Sequence, residues 1–509
     1  MADNQTRMSA KNGTPDKTVI ASEASAQQNG GSAVSGGGKQ SQKLSFPRKR
    51  ESRSPIKTFG DDISCQIASS SLSVGSPRND NVCWDIKECR QRLFPHASDQ
   101  EWNDWRWQLR NAATSLESVM KYGKFEDSQR AALHRVLEKY PAIIVPYYLC
   151  LIDFSDPHDP IRIQSFPVEE EIESDNNTHP DPLEEEEDMV VPGLVHRYPD
   201  RVLMQATNLC PMNCRHCTRK REWEEGLWTR DDHEIDRMID YLAQTPQVRD
   251  VLISGGDPLV LATMKLERIL AKLRAIPHIE IIRIGTRFPV VLPQRIDVEL
   301  VEMFSKYRPL WVNTHFNHPR EITREAAQAC DLLQRAGMPM NNQSVLLRGV
   351  NDNLATMRSL CHKLLKIGVR PYYLYQCDPV KGTEHLRTSI WKGIEIIEGL
   401  RGHTTGFAVP QYVIDAPGGG GKIPIGPNYF LGETKDGILL RNYEGLVFEY
   451  KNQAPRGKED ETIAKQRSFH SMERLDRRKS RSRLFKSSFE KHYHGQRNWI
   501  PLNGRLKKA

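Results

Sequence analysis

The chain of 509 residues has no uninterrupted run of about 18 apolar side chains, the length a membrane-spanning helix needs. The best stretch, Ala142 to Leu151, is too short and carries Pro146, so a soluble protein that does not enter a membrane is expected. The first residues lack the apolar centre of a secretory signal, and Asp3, Asp16 and Glu23 argue against a transit peptide. The expected location is the cytoplasm, with mitochondrion and nucleus left open. Cysteine is also scarce: ten in the whole chain, three of them within eight residues. That excludes a small disulfide scaffold and points to metal chemistry in a reducing compartment.

An excess of one charge is missing where it would matter most. The formal net charge of +7 hides three regions. Residues 1–58 carry +6 and residues 465–509 carry +11, which leaves the middle of the chain acidic. An acidic body with basic ends argues against a nucleic-acid-binding core. The basic run Arg477-Arg-Lys-Ser-Arg-Ser-Arg483 and the shorter Arg48-Lys-Arg50 read most simply as solvated charge.

Four regions are expected. Residues 1–78, rich in Ser, Gly, Asn and Lys, are too poor in large side chains to offset the entropy of ordering and are read as disordered. Residues 79–200 begin with Trp102, Trp105, Trp107, Leu109 and Leu116 at helical spacing, a helical lead-in, and end in a proline-rich and then acidic stretch (Glu184 to Asp188) read as a surface arm. Residues 201–451 alternate short β-branched runs with helical stretches. The last region, 452–509, is the basic tail.

The runs are Arg201 to Ala206, Val251 to Ser254, Ile279 to Gly285, Leu310 to His315, Met340 to Leu346 and Arg370 to Tyr375. Parallel neighbours need crossover helices, so six such units predict an α/β fold, a partial (βα)6 parallel barrel, closure being complete only with eight. Cys210, Ser254 to Asp257, Thr286-Arg287, His315, Gln343 and Asp378 fall at or just beyond the ends of these runs. That rim is where parallel barrels build their chemistry.

Two motifs carry that chemistry. Cys210-Pro-Met-Asn-Cys214-Arg-His-Cys217 places three thiols at CxxxCxxC spacing in a loop directly after a strand. Three thiolates suit an iron-sulfur cluster with one iron left open, whereas a zinc site would need a fourth ligand such as His216. Far downstream, Asp415-Ala-Pro-Gly418-Gly-Gly-Gly421-Lys422 lets backbone approach a ligand closely and ends on an amine suited to a phosphate contact or a Schiff base. Its plain alternative is a flexible linker.

The cysteine motif resembles that of radical S-adenosylmethionine enzymes, and with the glycine loop the chain from about Trp84 to about Lys451 resembles the lysine 2,3-aminomutase family. Trp102-Asn-Asp-Trp-Arg-Trp107, Pro192-Gly-Leu-Val-His-Arg-Tyr-Pro-Asp-Arg201 and Tyr412-Val-Ile-Asp-Ala-Pro417 share in the likeness. The resemblance implies a 4Fe-4S cluster on Cys210, Cys214 and Cys217, S-adenosyl-L-methionine near Ser254, Gly255, Gly256, Asp257, His315 and Gln343, and pyridoxal 5′-phosphate on Lys422. It further implies that Arg197, Tyr198 and Arg201 hold the phosphate and ring of that cofactor. Arg219 would take a substrate α-carboxylate, and Asp378 with Asp415 a distal ammonium. The implied reaction interconverts L-lysine and β-lysine, with an electron donor of flavodoxin or ferredoxin type as partner and a homo-oligomer as the family's habit. The alternatives are an arginine or other amino-acid 2,3-aminomutase, and a catalytically silent interaction protein. No cysteine follows Cys377, so the zinc site that well-known members build from C-terminal cysteines is expected to be absent, and their oligomer contacts do not carry over.

Overall fold

A computed structural model describes residues 86–451, apart from 124, 174–176 and 225. The expectations for residues 1–78, for Trp84 and for the basic tail lie outside the described residues.

The lead-in is helical because its polar residues cap and its tryptophans pack. Ser98 and Glu101 form a reciprocal capping box at the start of Asp99–Asn103, and Asp104 caps Trp105–Arg110. Trp102 and Trp105 are buried, and Gln108, fully buried, donates to the Trp102 carbonyl and accepts from the Tyr147 amide. Asp127–Lys139 follows, burying Ala132, Leu133 and Val136 on one face.

The body is a ten-stranded sheet in chain order: β1 (Met189–Val191), β2 (Leu194–Tyr198), β3 (Arg201–Thr207), β4 (Asp250–Gly255), β5 (Ile281–Gly285), β6 (Leu310–Thr314), β7 (Met340–Leu346), β8 (Arg370–Gln376), β9 (Gln411–Ala416) and β10 (Gly421–Pro424). Strands β3 to β9 are parallel, and β1, β2 and β10 flank them antiparallel. Helices Asp232–Ala243, Thr263–Arg274, Val298–Ser305, Arg324–Arg335, Leu354–Lys366 and Ile390–Leu400 fill the six crossovers. A separate antiparallel trio, β11 (Phe430–Glu433), β12 (Gly437–Arg441) and β13 (Val447–Lys451), follows. No helix among the described residues is long and apolar enough to cross a membrane.

All six expected runs are strands. A seventh parallel strand, β9, joins them, and its hairpin partner β10 carries Lys422. Parallel strands covered by helices on both faces are buried on both faces. Here burial alternates instead: Val251, Ile253, Ile282, Ile284 and Val312 are buried in the core, whereas Leu203, Leu252, Arg283, Trp311, Gln343 and Tyr375 are half-buried or exposed. One face packs the core and the other stays partly exposed, open to a ligand.

Two expectations are corrected. Gln343 lies in the middle of β7, opposite Tyr373, and not at the strand end. The acidic stretch is not a surface arm throughout: Glu185 is buried, and this segment leads into β1 and β2, whose alternation is too short for its sequence to announce.

Candidate active site

The cysteine loop leaves the end of β3 and is fixed from beneath by charge. Arg215, with a fully buried side chain, forks onto Glu171 at 2.7 to 3.1 Å and also donates to the Tyr140 and Pro141 carbonyls. Lys220 reaches the same carboxylate at 2.6 Å and the Gly382 carbonyl at 2.7 Å. Burial pushes the Glu171 carboxyl up, but the two cations outweigh it and hold it at about 2. Asn213 pins the other flank by donating to the Ile143 and Pro141 carbonyls.

From the side, the Ser254-Gly-Gly-Asp257 turn locks the loop. Gly256 donates to the Thr207 carbonyl and Asp257 to the Leu209 carbonyl. A Cβ on Gly255, whose φ is +112°, would lie 2.4 Å from the Thr207 oxygen, and one on Gly256 would lie 2.3 Å from the Leu209 oxygen. Only glycines allow this approach. The Asp257 carboxylate is consumed inside the protein, accepting from the Thr286 hydroxyl and from the Arg287 and Leu259 amides.

Behind the loop, Arg287 donates Nη1 to Cys214 Sγ at 2.8 Å, while Nη2 bonds Gln164 and Glu321. Tyr148 and the Asn317 and His318 amides complete Glu321. His216 Nε2 lies 3.4 Å from Asn317 Nδ2, and its ring centroid is 5.4 Å from that of His315. Among the described residues no three His, Cys, Asp or Glu side chains are assembled as a metal-holding group.

The second half of the site is the β9–β10 hairpin. Gly418, Gly419 and Gly421 have positive φ, so the glycines make a tight turn and not a linker. The turn sets Lys422 directly opposite Asp415. The Lys422 ammonium donates to both Asp415 oxygens at 2.9 and 3.0 Å and sits 5.1 Å from the Tyr375 ring centre. Asp378, just beyond β8, is pushed up to about 7 by burial and then by Asp415, against the pull of Lys422 and Arg387. Asp378, 37 residues before Asp415, thus feels the charges of the hairpin pair. Tyr198 accepts from the Lys422 amide, Arg201 stacks on the Tyr198 ring at 3.8 Å, and Arg197 lies beside Gly419.

Arg219 links the halves. It forks onto Glu185 at 2.6 and 2.8 Å and donates to the Gly255 carbonyl. Glu185 in turn helps to raise Asp378, so both lie on one electrostatic space. Arg197 pairs with Asp188 at 2.6 Å and with the Leu183 carbonyl. Glu171, Glu185, Arg215 and Arg287 were not identified from sequence as site residues. Only Arg287 left a trace there, as a polar residue at a strand end.

The donors fit the groups the motifs suggest in their chemistry, though among the described residues not as an assembled metal-holding geometry. Burial, then neighbouring charge, pushes the Cys210 and Cys217 thiols up, Cys217 to about 12, so a bound metal would displace their protons. Among the described residues the buried ring atoms His315 Nε2 and His216 Nδ1 have no hydrogen-bond partner, which leaves them as polar handles for a ligand. The Lys422 side chain is about one-third exposed, and the Arg197 guanidinium lies beside Gly419 of its hairpin.

A parallel α/β sheet with a three-cysteine loop after its first parallel strand defines a class, and residues 204–360 match the model of the radical SAM superfamily. Residues 397–488 match the lysine-2,3-aminomutase model. The chain is 54% identical to the L-lysine 2,3-aminomutase of Clostridium subterminale over 71% of this chain and 87% of that one. It is 48% identical to the enzyme of that name from Bacillus subtilis, covering 70% and 76%, and 41% identical to the glutamate 2,3-aminomutase of Clostridioides difficile, covering 72% and 88%. The chain belongs to the lysine 2,3-aminomutase family.

Proposed function

We propose that this protein is an isomerase interconverting L-lysine and β-lysine by radical migration of the α-amino group. The observation that carries the choice of substrate is Asp415 gripping the Lys422 ammonium through both oxygens, with the buried Asp378 near enough that Asp415 raises its carboxyl and Lys422 lowers it. Burial first and then the Asp415 charge raise the Asp378 carboxyl to about 7, and two carboxyls so placed make a site of negative charge. It attracts a distal ammonium and repels the side-chain carboxylate of glutamate.

In this reading β3 to β8 form a partial (βα)6 barrel within residues 201–451, with residues 79–200 as its lead-in. Cys210, Cys214 and Cys217 hold a 4Fe-4S cluster. The Gly255-Gly256 turn, Ser254, His315 and Gln343 face S-adenosyl-L-methionine, and Asp257 serves it indirectly by bracing the loops. Lys422 anchors pyridoxal 5′-phosphate between Arg197, Tyr198 and Arg201. When bound, these groups supply a hydrogen-abstracting radical and an electron sink for the migrating nitrogen.

The chain's own residues do the rest. Arg219 receives the α-carboxylate, and Asp378 and Asp415 receive the distal ammonium, so the substrate is fixed at both ends and its α and β carbons are held between the two halves of the site. Asp415 first holds the proton on Lys422 Nζ. With Lys422 engaged by the cofactor, Asp415 would be free to take the substrate ammonium. Tyr373 and Tyr375 wall the space against water. An electron donor of flavodoxin or ferredoxin type would serve the cluster.

The test is anaerobic protein reconstituted with iron, sulfide and pyridoxal phosphate, then given dithionite, S-adenosylmethionine and L-lysine. Chromatographic appearance of β-lysine, with no product from glutamate, is expected. Loaded protein that leaves lysine unchanged, or that prefers arginine, overturns the reading.

A further inference from the structure

Arg219 is held in a way that selects which of its edges faces the site. A guanidinium carries five N–H donors in a rigid plane. Glu185 takes Nε at 2.8 Å and one proton of Nη2 at 2.6 Å, covering the side edge, and the Gly255 carbonyl takes one proton of Nη1 at 3.1 Å. Among the described residues that leaves one donor on each terminal nitrogen. Glu185 is itself anchored: its side chain is 7% exposed, it lies 3.6 Å from Arg221, and Arg221 is gripped by Asp181 and Glu186 at 3.3 and 2.8 Å. The acidic stretch therefore works as a brace whose inward tooth is Glu185.

We propose that Glu185 is a positioning residue that clamps the side edge of Arg219 so that its terminal donors are aimed at a substrate α-carboxylate, making the site select for a free carboxylate at that end. This rests on the assignment of Arg219 under the proposed function. A guanidinium can hold two carboxylates on two edges at once, so the clamp does not compete with the substrate. Without it, rotation about the Arg219 side chain would spread the same donors over several directions, and a carboxylate would meet one where it now meets two.

The measurement is binding, without reductant and so without turnover. Protein loaded with cluster and pyridoxal phosphate is dialysed against labelled L-lysine, with competition by unlabelled lysine and by lysinamide, in which a neutral amide replaces the carboxylate. The parent should prefer lysine by roughly ten-fold or more, the worth of a charge-assisted contact, and Arg219→Lys should lose that preference. In Glu185→Gln, whose amide N–H₂ opposes one of the two Arg219 donors, the lysine-to-lysinamide ratio should fall roughly ten-fold with lysinamide binding little changed. Glu185→Asp, which keeps the charge but withdraws it by one methylene, should fall in between. It also supplies the reading if Glu185→Gln does not fold. A merely structural role would lower the melting temperature or cofactor content and leave the ratio intact. A parent preference that survives in both variants overturns the proposal alone. A parent with no preference overturns the assignment of Arg219 and the proposal with it.

Discussion

The two halves of the site are built differently. The cysteine loop is held on three sides by buried groups: the Arg215–Glu171–Lys220 trio beneath it, the Asp257 turn at its flank and the Arg287–Glu321 network behind. The glycine hairpin is an edge. Among the described residues β10 has only β9 beside it, its residues after Gly421 are exposed, and Lys422 is tied by one ion pair and, through its amide, by Tyr198. A cluster that must sit in a fixed place over a strand end needs a frame that exists beforehand. An amine that must exchange one partner for another needs the reverse, a loose tether that a ligand can undo. Rigidity and release are thus divided between opposite ends of one sheet.

The largest effect should come from breaking the first half at its thiols. Cys214→Ala is expected to abolish turnover and cluster iron while borohydride still traps pyridoxal phosphate on the protein, because the hairpin is built independently. Loss of both together would erase the distinction. Lys422→Ala should do the converse, ending the trapping but keeping iron; trapping that persists would name another lysine as anchor.

Next comes the frame. Glu171→Gln leaves Arg215 and Lys220 buried without their anion, and removing one partner of a buried charge group costs about 3–5 kcal/mol. Thermal unfolding of the two proteins measures it, and a difference below about 1 kcal/mol would refute the idea of a frame. The pH dependence has a definite sign. Glu171 is depressed from the ordinary 4.5 to about 2, so its contribution is complete above pH 4.5 and is lost as pH falls from there through about 2. The stability gap between parent and variant should narrow over that window.

Smaller changes test the second half. Asp378→Asn and Asp415→Asn should each weaken lysine by about 1.5–3 kcal/mol, one charge-assisted hydrogen bond, while norleucine, which lacks the distal ammonium, is little affected. If the two aspartates only brace their loops, the variants will lose cofactor or stability with no change in the lysine-to-norleucine ratio.

The same division explains what was legible in the sequence. The cysteine loop and the six strand runs are local patterns, three thiols in eight residues and apolar runs closed by polar ones, and the fold honours them. The hairpin was half legible: four glycines announced close backbone approach, but not that Lys422 would be the cross-strand neighbour of Asp415, which depends on register. The brace was illegible. Glu185 and its neighbours look like any solvated acidic run because their arginines, Arg219 and Arg221, lie 34 and 35 residues further on or more. Gln343 was misplaced for a simpler reason: polar residues run through the middle of β7 on both faces, Asn341 and Gln343 half-exposed and Asn342 and Ser344 buried against the Phe316 backbone, so polarity did not mark the strand's end. Pairings made across tertiary space leave no period to read.

The finest test uses protons in place of mutations. Asp378 is raised from 3.8 to about 7 by burial and by Asp415, with Lys422 and Arg387 pulling down and Glu185 pushing up. Near pH 6 it is mostly protonated in the protein without substrate, and near pH 8 mostly ionised. A distal ammonium gains from the ionised form only, so lysine's advantage over norleucine should grow by up to about ten-fold from pH 6 to 8 and then level off, a change of at most about 1.4 kcal/mol. The ε-ammonium of lysine stays charged throughout, its ordinary value being about 10.4. The α-amino and α-carboxyl groups are common to both ligands and cancel in the ratio. What remains is the titration of the aspartate pair. Competition dialysis on cofactor-loaded protein at three pH values gives the slope, and Asp378→Asn should flatten it. A slope that persists in that variant would move the titrating group elsewhere, and a flat parent would mean that Lys422 or the substrate keeps Asp378 ionised throughout.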